Sequence, residues 1–418
     1  MPDRKSFSFS LFLDKDLNKK KNKEKSNSIR TAESMRVFVY LIVFFSFFDL
    51  FTQLPIMSPF AESLGAAPFL TGLAVGMYSF SNTIGNILSG FLTDKKGAFG
   101  VLVSGLLLTG TALLLYHLAF DAWSLLAIRF VHGLLAGLIV PAAFTYLANA
   151  AEDQKKGKGA AISGAFVGLA AIIGPAFSGI VASRTSETTV LTSTAVVLLL
   201  LGILSLLFLR PETEESFNEK EEVPITIRFF FQHASVVKAF IGAFLLMFSQ
   251  GVLAYMLPLK VLNLGFDTQT SGMLLSIFGI VAILVFVSPI NKVFDHLKPK
   301  WTLAFGMTVM GASLLFISLS EAITLLYLCM GLYGIGFAFL FPSINSLLVH
   351  AVPPAHRGKA YGYFYAFFSL GVVAGSGVTG MLALTANEGF VFTGLVLITA
   401  AAGSLLKEPP VIKSPPQS

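Results

Sequence analysis

Residues 188–209 read TTVLTSTAVVLLLLGILSLLFL and carry no charged side chain. One crossing of a ~30 Å hydrocarbon core needs about 20 apolar helical residues, so this stretch is long enough to span a bilayer. The whole chain is similarly apolar, because 55% of its 418 residues are hydrophobic and only 12% are charged. Soluble domains carry about 25% charged residues. The sequence therefore predicts an all-α membrane protein.

Apolar runs bounded by charged or Gly/Pro-rich breaks predict twelve transmembrane helices. They lie near residues 37–58, 68–93, 99–119, 122–149, 157–184, 188–209, 236–260, 268–292, 300–319, 321–350, 357–386 and 388–406. The glutamate-rich segment 210–235 separates an N-terminal half, 37–209, from a C-terminal half, 236–406, and is predicted to be a cytoplasmic linker. The lysine-rich residues 1–36 are expected to form a disordered cytoplasmic tail rather than a cleavable signal peptide, and 407–418 a second tail.

Lysine and arginine are concentrated in the N-terminal tail and in alternate loops, including Lys95, Lys96 and Arg357. Because cytoplasmic loops carry an excess of these residues, both termini are predicted to face the cytoplasm, with the chain in the plasma membrane. Arg184 and Lys260 are expected at the opposite face. Although the net charge is +6, basic residues sorted by membrane side argue against a nucleic-acid partner.

The two predicted halves resemble each other at a constant spacing. Residues of the same type lie 201 positions apart: Asp94 and Asp295, Gly133 and Gly334, Pro141 and Pro342, Gly157 and Gly358, Gly174 and Gly375, and Gly179 and Gly380. Small residues and prolines that recur in this way predict two copies of one helix-packing scheme, related by pseudo-symmetry.

The loop after the second span, GFLTDKKG at residues 90–97, resembles the cytoplasmic signature of the major facilitator superfamily. Gly90 is expected to allow close helix approach, Gly97 to supply an unusual backbone conformation, and Asp94 to accept hydrogen bonds from a helix N-terminus. With Lys95, these residues would latch the cytoplasmic side. The alternative is a plain turn with two inside-positive lysines.

The fourth span, LLAIRFVHG at residues 125–133, is similar to the superfamily's arginine motif, which is associated with proton coupling. Arg129 occupies the motif's arginine position. The family more often has glutamine where His132 stands. His132 is predicted either to relay a proton or to donate a hydrogen bond.

The fifth span contains GPAFSG at residues 174–179, which resembles the Gly-Pro motif of the 12-span drug/proton antiporters, with Ser178 where glycine is usual. Pro175 bends a helix, and Gly174 and Gly179 allow a partner helix to approach. The resemblance implies a close-packed bend that favours export. An ordinary kinked helix is the alternative.

Asp49 and Arg129 are the acid and the strong base that fall deep inside predicted spans. A charge at the bilayer centre costs at least ~2.5 kcal/mol, which marks both as functional candidates. Counted from the outer span ends, Asp49 lies ~13 Å deep and Arg129 ~10 Å deep. Burial favours a protonated carboxyl and a nearby guanidinium favours an ionised one, so alternating exposure would change its proton occupancy. The alternative is a static Asp49–Arg129 ion pair.

The resemblance implies that the first, fourth, seventh and tenth spans line a central cavity. Polar side chains on these spans are the predicted substrate contacts. They are Gln53, Gln250, Tyr255, Tyr333 and Asn345.

These features predict a proton-coupled secondary transporter that exports small lipophilic or cationic compounds, as in multidrug efflux, by alternating access. Its expected partners are a small-molecule substrate, protons and the lipid bilayer, and the chain is expected to act as a monomer. Two alternatives stay open: an exporter or importer of a specific metabolite such as a sugar or siderophore, and a non-transporting membrane receptor. The sequence has no metal-ligand cluster, no nucleophile with a paired base and no phosphate loop, and Cys329 is its single cysteine, so neither enzyme activity nor a cofactor is predicted.

Overall fold

The computed structural model describes residues 35–149, 156–209, 231–292, 297–352 and 357–405. The predictions for the two tails, for most of the linker 210–235 and for Asp295 lie outside these residues. The described part of the chain is helical and contains no strand. Its helices are α1 Met35–Thr52, α2 Met57–Ser63, α3 Pro68–Lys96, α4 Ala98–Leu114, α5 Ala122–Ala136, α6 Ile139–Asn149, α7 Lys156–Arg184, α8 Glu187–Phe208, α9 Ala234–Asn263, α10 Thr268–Val287, α11 Pro299–Leu319, α12 Ile323–Ala351, α13 Arg357–Met381 and α14 Ala386–Leu405.

Eleven of the described helical segments are long and apolar enough to cross a membrane. Each predicted span except the second coincides with one of them. The second predicted span lies in α3, which is 29 residues long. Ser, Thr and Asn side chains between Ser79 and Thr93 make this helix more polar than the others. The chain is therefore a multi-pass helical membrane protein.

Two of the predicted spans are broken by proline. Pro55 follows α1, and residues 53–56 form turns before α2 begins at Met57. Pro141 has the same effect in the fourth span, where α5 ends at Ala136 and α6 begins at Ile139. A proline ring clashes with the carbonyl four residues earlier, here that of Phe51 or Gly137, and each helix ends within one residue of that position. The first break lies directly after the turn of α1 that carries the buried acid.

Short polar signals fix the ends of several helices. Asp121 caps α5 by accepting from the Ser124 backbone amide at 2.7 Å, and the Ser124 hydroxyl accepts in return from the Asp121 amide. Hydrogen bonds from the hydroxyl and the backbone amide of Ser124 hold the pKa of the Asp121 carboxyl below its usual range. Gly97 joins α3 to α4 with a φ of 80°, a conformation that favours glycine. The unusual backbone predicted there is confirmed.

Three of the glycine pairs that repeat 201 positions apart lie where two helices touch, so that a larger residue would collide with the neighbouring backbone or side chain. Each pair packs on corresponding helices: Gly133 on α3 and Gly334 on α10, Gly174 on α1 and Gly375 on α9, and Gly179 on α10 and Gly380 on α3. The repeat in the sequence is thus also a repeat of helix contacts.

Helices from the first part of the chain pack against helices from the second part through small residues. A Cβ added at Gly72 of α3 would collide with the α13 backbone, and one added at Gly272 of α10 would collide with the α7 backbone. The Tyr255 hydroxyl of α9 donates to the Pro68 carbonyl oxygen at 2.9 Å. We call these contacts, around Gly72, Gly272 and Tyr255, the seam. They lie towards the Pro68 end of α3.

Two glycines towards the opposite ends of α3 and α7 make no such contact with the described residues. A methyl group at Gly90 in α3 or at Gly164 in α7 would meet none of the described atoms within 4 Å. Phe91 is 64% exposed. Gly90 therefore makes no close helix approach to the described residues, and the described contacts of the seam lie at one end of the bundle.

Candidate functional site

Asp49 lies in the last turn of α1 and is 1% exposed. Its Oδ1 accepts a hydrogen bond from Gln53 Nε2 at 3.0 Å. Its Oδ2 lies 3.1 Å from His132 Nε2 and 3.5 Å from the Tyr78 hydroxyl. A buried carboxylate is stable only when such partners replace water, and Asp49 has them from three helical segments.

His132 of α5 is fully buried and stands between an acid and a phenol. Its Nε2 faces Asp49, and its Nδ1 lies 3.0 Å from the hydroxyl of Tyr116. Tyr116 belongs to the 3-10 turn Leu115–Leu118 after α4 and is 1% exposed. The Tyr78 and Tyr116 rings both pack edge-on against the imidazole. The three polar groups thus form a continuous row, Tyr116–His132–Asp49.

Arg129 lies one turn before His132 and is 3% exposed. Its Nε donates to the Ala74 carbonyl at 2.7 Å and its Nη2 to the Val75 carbonyl at 3.0 Å, both on α3. Its Nη1 donates to Gln53 Oε1. The rigid fork of the guanidinium suits two successive carbonyls, which explains why arginine and not lysine stands here.

Among the described residues, the Asp49 carboxylate lies within salt-bridge distance of the His132 imidazole and not of the Arg129 guanidinium. The static Asp49–Arg129 pair considered from the sequence is therefore corrected. Arg129 reaches Asp49 through Gln53, whose amide accepts from the guanidinium and donates to the carboxylate. Gln53, predicted as a substrate contact, lies in this network. With neutral His132 the cluster has no net charge, and it has two groups, Asp49 and His132, that can accept one further proton.

The Gly-Pro motif of α7 lies between the charged cluster and the later helices. A Cβ at Gly174 would stand 2.9 Å from Phe51 Cβ, two residues after Asp49. Five residues on, Gly179 packs against the start of α10, where a Cβ would stand 2.7 Å from the Thr268 carbonyl. The helix that contains Pro175 therefore contacts the site on one side and the seam on the other.

The remaining predicted substrate contacts form no hydrogen bond with one another among the described residues. Tyr255 donates across the seam, and the Tyr333 hydroxyl is 2.7 Å from Ser249 Oγ in the core. Asn345 donates to the Phe341 carbonyl of its own helix. Gln250 is half-buried on α9 and has no hydrogen-bond partner among the described residues. The structure does not bring these side chains into one cluster.

The residues of the predicted latch lie at the junction of α3 and α4. Asp94 and Lys95 are exposed, and Gly97 is buried. No ion pair joins Asp94 to another described residue.

Sequence reasoning missed Tyr78 and Tyr116, because a tyrosine in an apolar run has no spacing signal that marks it as a hydrogen-bond partner. It also placed Lys260 at a membrane face. Lys260 is 4% exposed, and its Nζ donates to the Ser318 carbonyl at 3.0 Å and to Asn387 Oδ1 at 2.6 Å. This lysine thereby ties α9 to the ends of α11 and α14.

Comparison with known proteins identifies relatives along nearly the whole chain. The family model of the Major Facilitator Superfamily matches residues 39–290 and 239–418. Multidrug resistance protein MdtG of Escherichia coli O9:H4 is 27% identical over 369 residues, which cover 83% of this chain and 88% of that protein. An uncharacterized MFS-type transporter of Methanocaldococcus jannaschii is 25% identical over 341 residues, covering 79% of this chain and 86% of the relative.

Solved structures share the fold at lower identity. A bacterial homolog of the human lysosomal transporter Spinster, in an inward-facing and occupied conformation, superposes with a TM-score of 0.75 at 13% identity over 89% of this chain and 95% of that one. The nucleoside transporter NupG gives a TM-score of 0.72 at 16% identity, over 90% of this chain and 100% of NupG. The relatives and fold neighbours named here are transporters.

Proposed function

The chain belongs to the major facilitator superfamily, and from this premise we propose that it is a proton-coupled secondary transporter that exports small lipophilic or cationic compounds. The observation that carries the proposal is the buried Asp49–His132 pair. A titratable pair held away from water, on two helices of the predicted cavity, is the feature that a proton-driven cycle requires. Similarity to multidrug resistance proteins supports the substrate class.

The proposed architecture has twelve spans in two six-helix halves, 37–209 and 236–406, joined by a cytoplasmic linker. Counting α3 as a span completes the twelve. Both termini would then face the cytoplasm, and the seam would close the outer side. The matched glycine contacts support this arrangement. The structure then corresponds to a state open to the cytoplasm, in which substrate enters between the halves.

The proposed cycle exchanges one proton for one substrate. In the unprotonated state Arg129 balances Asp49, so a cationic or neutral substrate enters without meeting a net positive charge. A proton from the outer side makes the cluster net positive, which disfavours a bound cation and favours its release outside. Proton loss to the cytoplasm resets the cluster. The candidate substrate contacts remain Gln53, Gln250, Tyr255, Tyr333 and Asn345.

The two motif regions have distinct proposed roles. Gly174, Pro175 and Gly179 would transmit changes at α1 to α10, because the helix contacts both. Gly90, Asp94, Lys95 and Gly97 would form the latch only when the cytoplasmic side closes. Phe91, 64% exposed in the same segment, would then become covered.

The test measures export of ethidium, a lipophilic cation, in everted vesicles that contain the full-length chain, with an inwardly acidic gradient. Asp49→Asn keeps the size of the side chain and removes its titration. We expect ethidium uptake driven by the pH gradient to fall to the level of vesicles without the protein, while ethidium binding to the purified variant persists.

Glu187→Gln, which removes a carboxylate at the start of α8, is the matched control and should transport normally. Full gradient-driven uptake by Asp49→Asn would contradict proton coupling at this residue. Absence of ethidium transport by the unaltered chain, together with pH-driven movement of a sugar or siderophore, would contradict the proposed substrate class.

A further inference from the structure

Tyr116 is the one member of the buried row whose role the proposed function leaves unassigned. Its hydroxyl lies 3.0 Å from His132 Nδ1, and the opposite ring nitrogen lies 3.1 Å from Asp49 Oδ2. All three side chains are at most 1% exposed. The described residues therefore give each imidazole nitrogen a single polar partner in a buried environment.

The unprotonated state has one consistent hydrogen-bond pattern. Asp49 is then an acceptor only, so the imidazole proton must lie on Nε2 and point at the carboxylate. The bare Nδ1 accepts from the Tyr116 hydroxyl. The other tautomer would turn a nitrogen lone pair towards the carboxylate, which is repulsive.

Uptake of one proton reverses the direction of the hydrogen bond between His132 and Tyr116. If the proton stays on the imidazole, both nitrogens carry hydrogen. If Asp49 holds it and donates to Nε2, the imidazole hydrogen moves to Nδ1. In either case Nδ1–H donates to the Tyr116 oxygen, so the phenol changes from donor to acceptor as the site loads.

The geometry points to Tyr116 as the positioning residue of the proton site, whose hydroxyl sets which nitrogen of His132 faces Asp49 and hence the pH at which the site takes up its proton. This inference rests on the proposed function only in assigning that proton to transport. Among the described residues, the other charged or titratable groups around His132 are Asp49 on α1, Tyr78 on α3 and Arg129 on α5 itself, and the Arg129 guanidinium also interacts with the Tyr116 hydroxyl.

Removal of the hydroxyl should affect the loaded state more strongly. A buried N–H without an acceptor costs more than a nitrogen lone pair without a donor, and the difference grows when the imidazole is charged. Tyr116→Phe should therefore make proton uptake harder, and the midpoint of uptake should move to lower pH.

The test uses pH-difference infrared spectra of the full-length chain in lipid vesicles, which need no substrate. Asp49→Asn and His132→Gln identify the carboxyl and imidazole bands of the site. In Tyr116→Phe we expect the midpoint of these bands to move to lower pH by about half to one unit, which corresponds to roughly a three- to tenfold weaker proton affinity.

Tyr327→Phe is the matched control, because it removes a hydroxyl that donates to Met273 Sδ at 3.7 Å on other helices. Its midpoint should equal that of the unaltered chain. In the His132→Gln background, adding Tyr116→Phe should leave the midpoint of Asp49 unchanged, since Tyr116 acts through the imidazole.

An unshifted midpoint in Tyr116→Phe, or an equal shift with and without His132, would overturn the inference. The spectra report proton binding and not transport. Normal pH-driven ethidium export by Asp49→Asn would therefore refute the proposed function while leaving the assignment of Tyr116 intact.

Discussion

Arg129 shows at the residue scale how a buried charge is stabilised without an opposite charge beside it. Two of its donors bond to successive carbonyls of α3, and a third bonds to Gln53. The guanidinium also lies 5.2 Å above the Tyr78 ring. The residue that carries the positive charge is thus also a tie between α5 and α3.

Arg129→Lys keeps the charge and removes the fork. An ammonium cannot reach both α3 carbonyls and Gln53, so about two charge-assisted bonds are lost, each worth about 1.5–3 kcal/mol. We expect the midpoint of thermal unfolding in detergent to fall clearly. Arg184→Lys, at the exposed end of α7, should leave that midpoint unchanged. Equal midpoints for the two variants would contradict the bonding role.

The charged members of the site were predictable from the sequence, and their partners were not. Asp49, Arg129 and His132 stand out because a polar group in an apolar span is rare. Which of them touch depends on the break at Pro55 and on the rotation of α5, which no spacing rule supplies. Tyr116 comes from a short 3-10 turn, and apolar patterning carries no signal for it.

The helices themselves were largely predictable, because each span is an apolar run with a clear end. The internal ends were harder: α1 and α5 stop several residues before the predicted boundary, where prolines clash with the preceding turn. The position of α3 in the chain predicts a membrane span, although the polar side chains on one face lower its mean hydropathy. Its asparagines and serines face other helices, as in Asn82, whose amide donates to the Gly133 carbonyl at 3.3 Å, and Ser89, which donates to the Leu138 carbonyl at 2.8 Å.

Gly272→Ala tests the seam at the scale of two helices. The new methyl group would collide with the Pro175 carbonyl of α7, and neither backbone can yield without separation of the helices. We expect destabilisation of about 1–3 kcal/mol, seen as a lower thermal midpoint, and reduced ethidium transport. Gly164→Ala, on α7 with open space around it, is the control and should be neutral or slightly stabilising. An unchanged thermal midpoint in Gly272→Ala would contradict the close contact between α10 and α7 at this position.

At the scale of the whole molecule, corresponding bridges in the two halves differ in their chemistry. His132 and Tyr333 lie 201 positions apart, and each bonds to the helix that begins its half: His132 to Asp49, and Tyr333 to Ser249 at 2.7 Å. The bridge thus contains a carboxyl and an imidazole in one half and two hydroxyls in the other. The sequence predicted the repeat, but this correspondence became visible only with the contacts.

The orientation of the whole chain is testable with single cysteines. In a Cys329→Ser background, we expect a membrane-impermeant maleimide added to intact cells to label Phe120→Cys, because Phe120 is 81% exposed at the predicted outer end. Gly100→Cys, at the start of α4, should react only after the cells are opened. The reverse labelling pattern would place both termini outside and contradict the proposed direction of export.

The enclosure of Asp49 bears on how little energy such a protein would waste. In the proposed cycle, a proton bound at the Asp49 carboxyl is held away from both sides of the membrane, because the side chain is only 1% exposed and both of its oxygens lie against polar groups of neighbouring residues. Passage then requires rearrangement of the helices that hold it. In the absence of substrate, the protein would then not dissipate the proton gradient. The rate of any uncoupled proton leak would be limited by the slow motion of the helix bundle rather than by the speed of proton transfer.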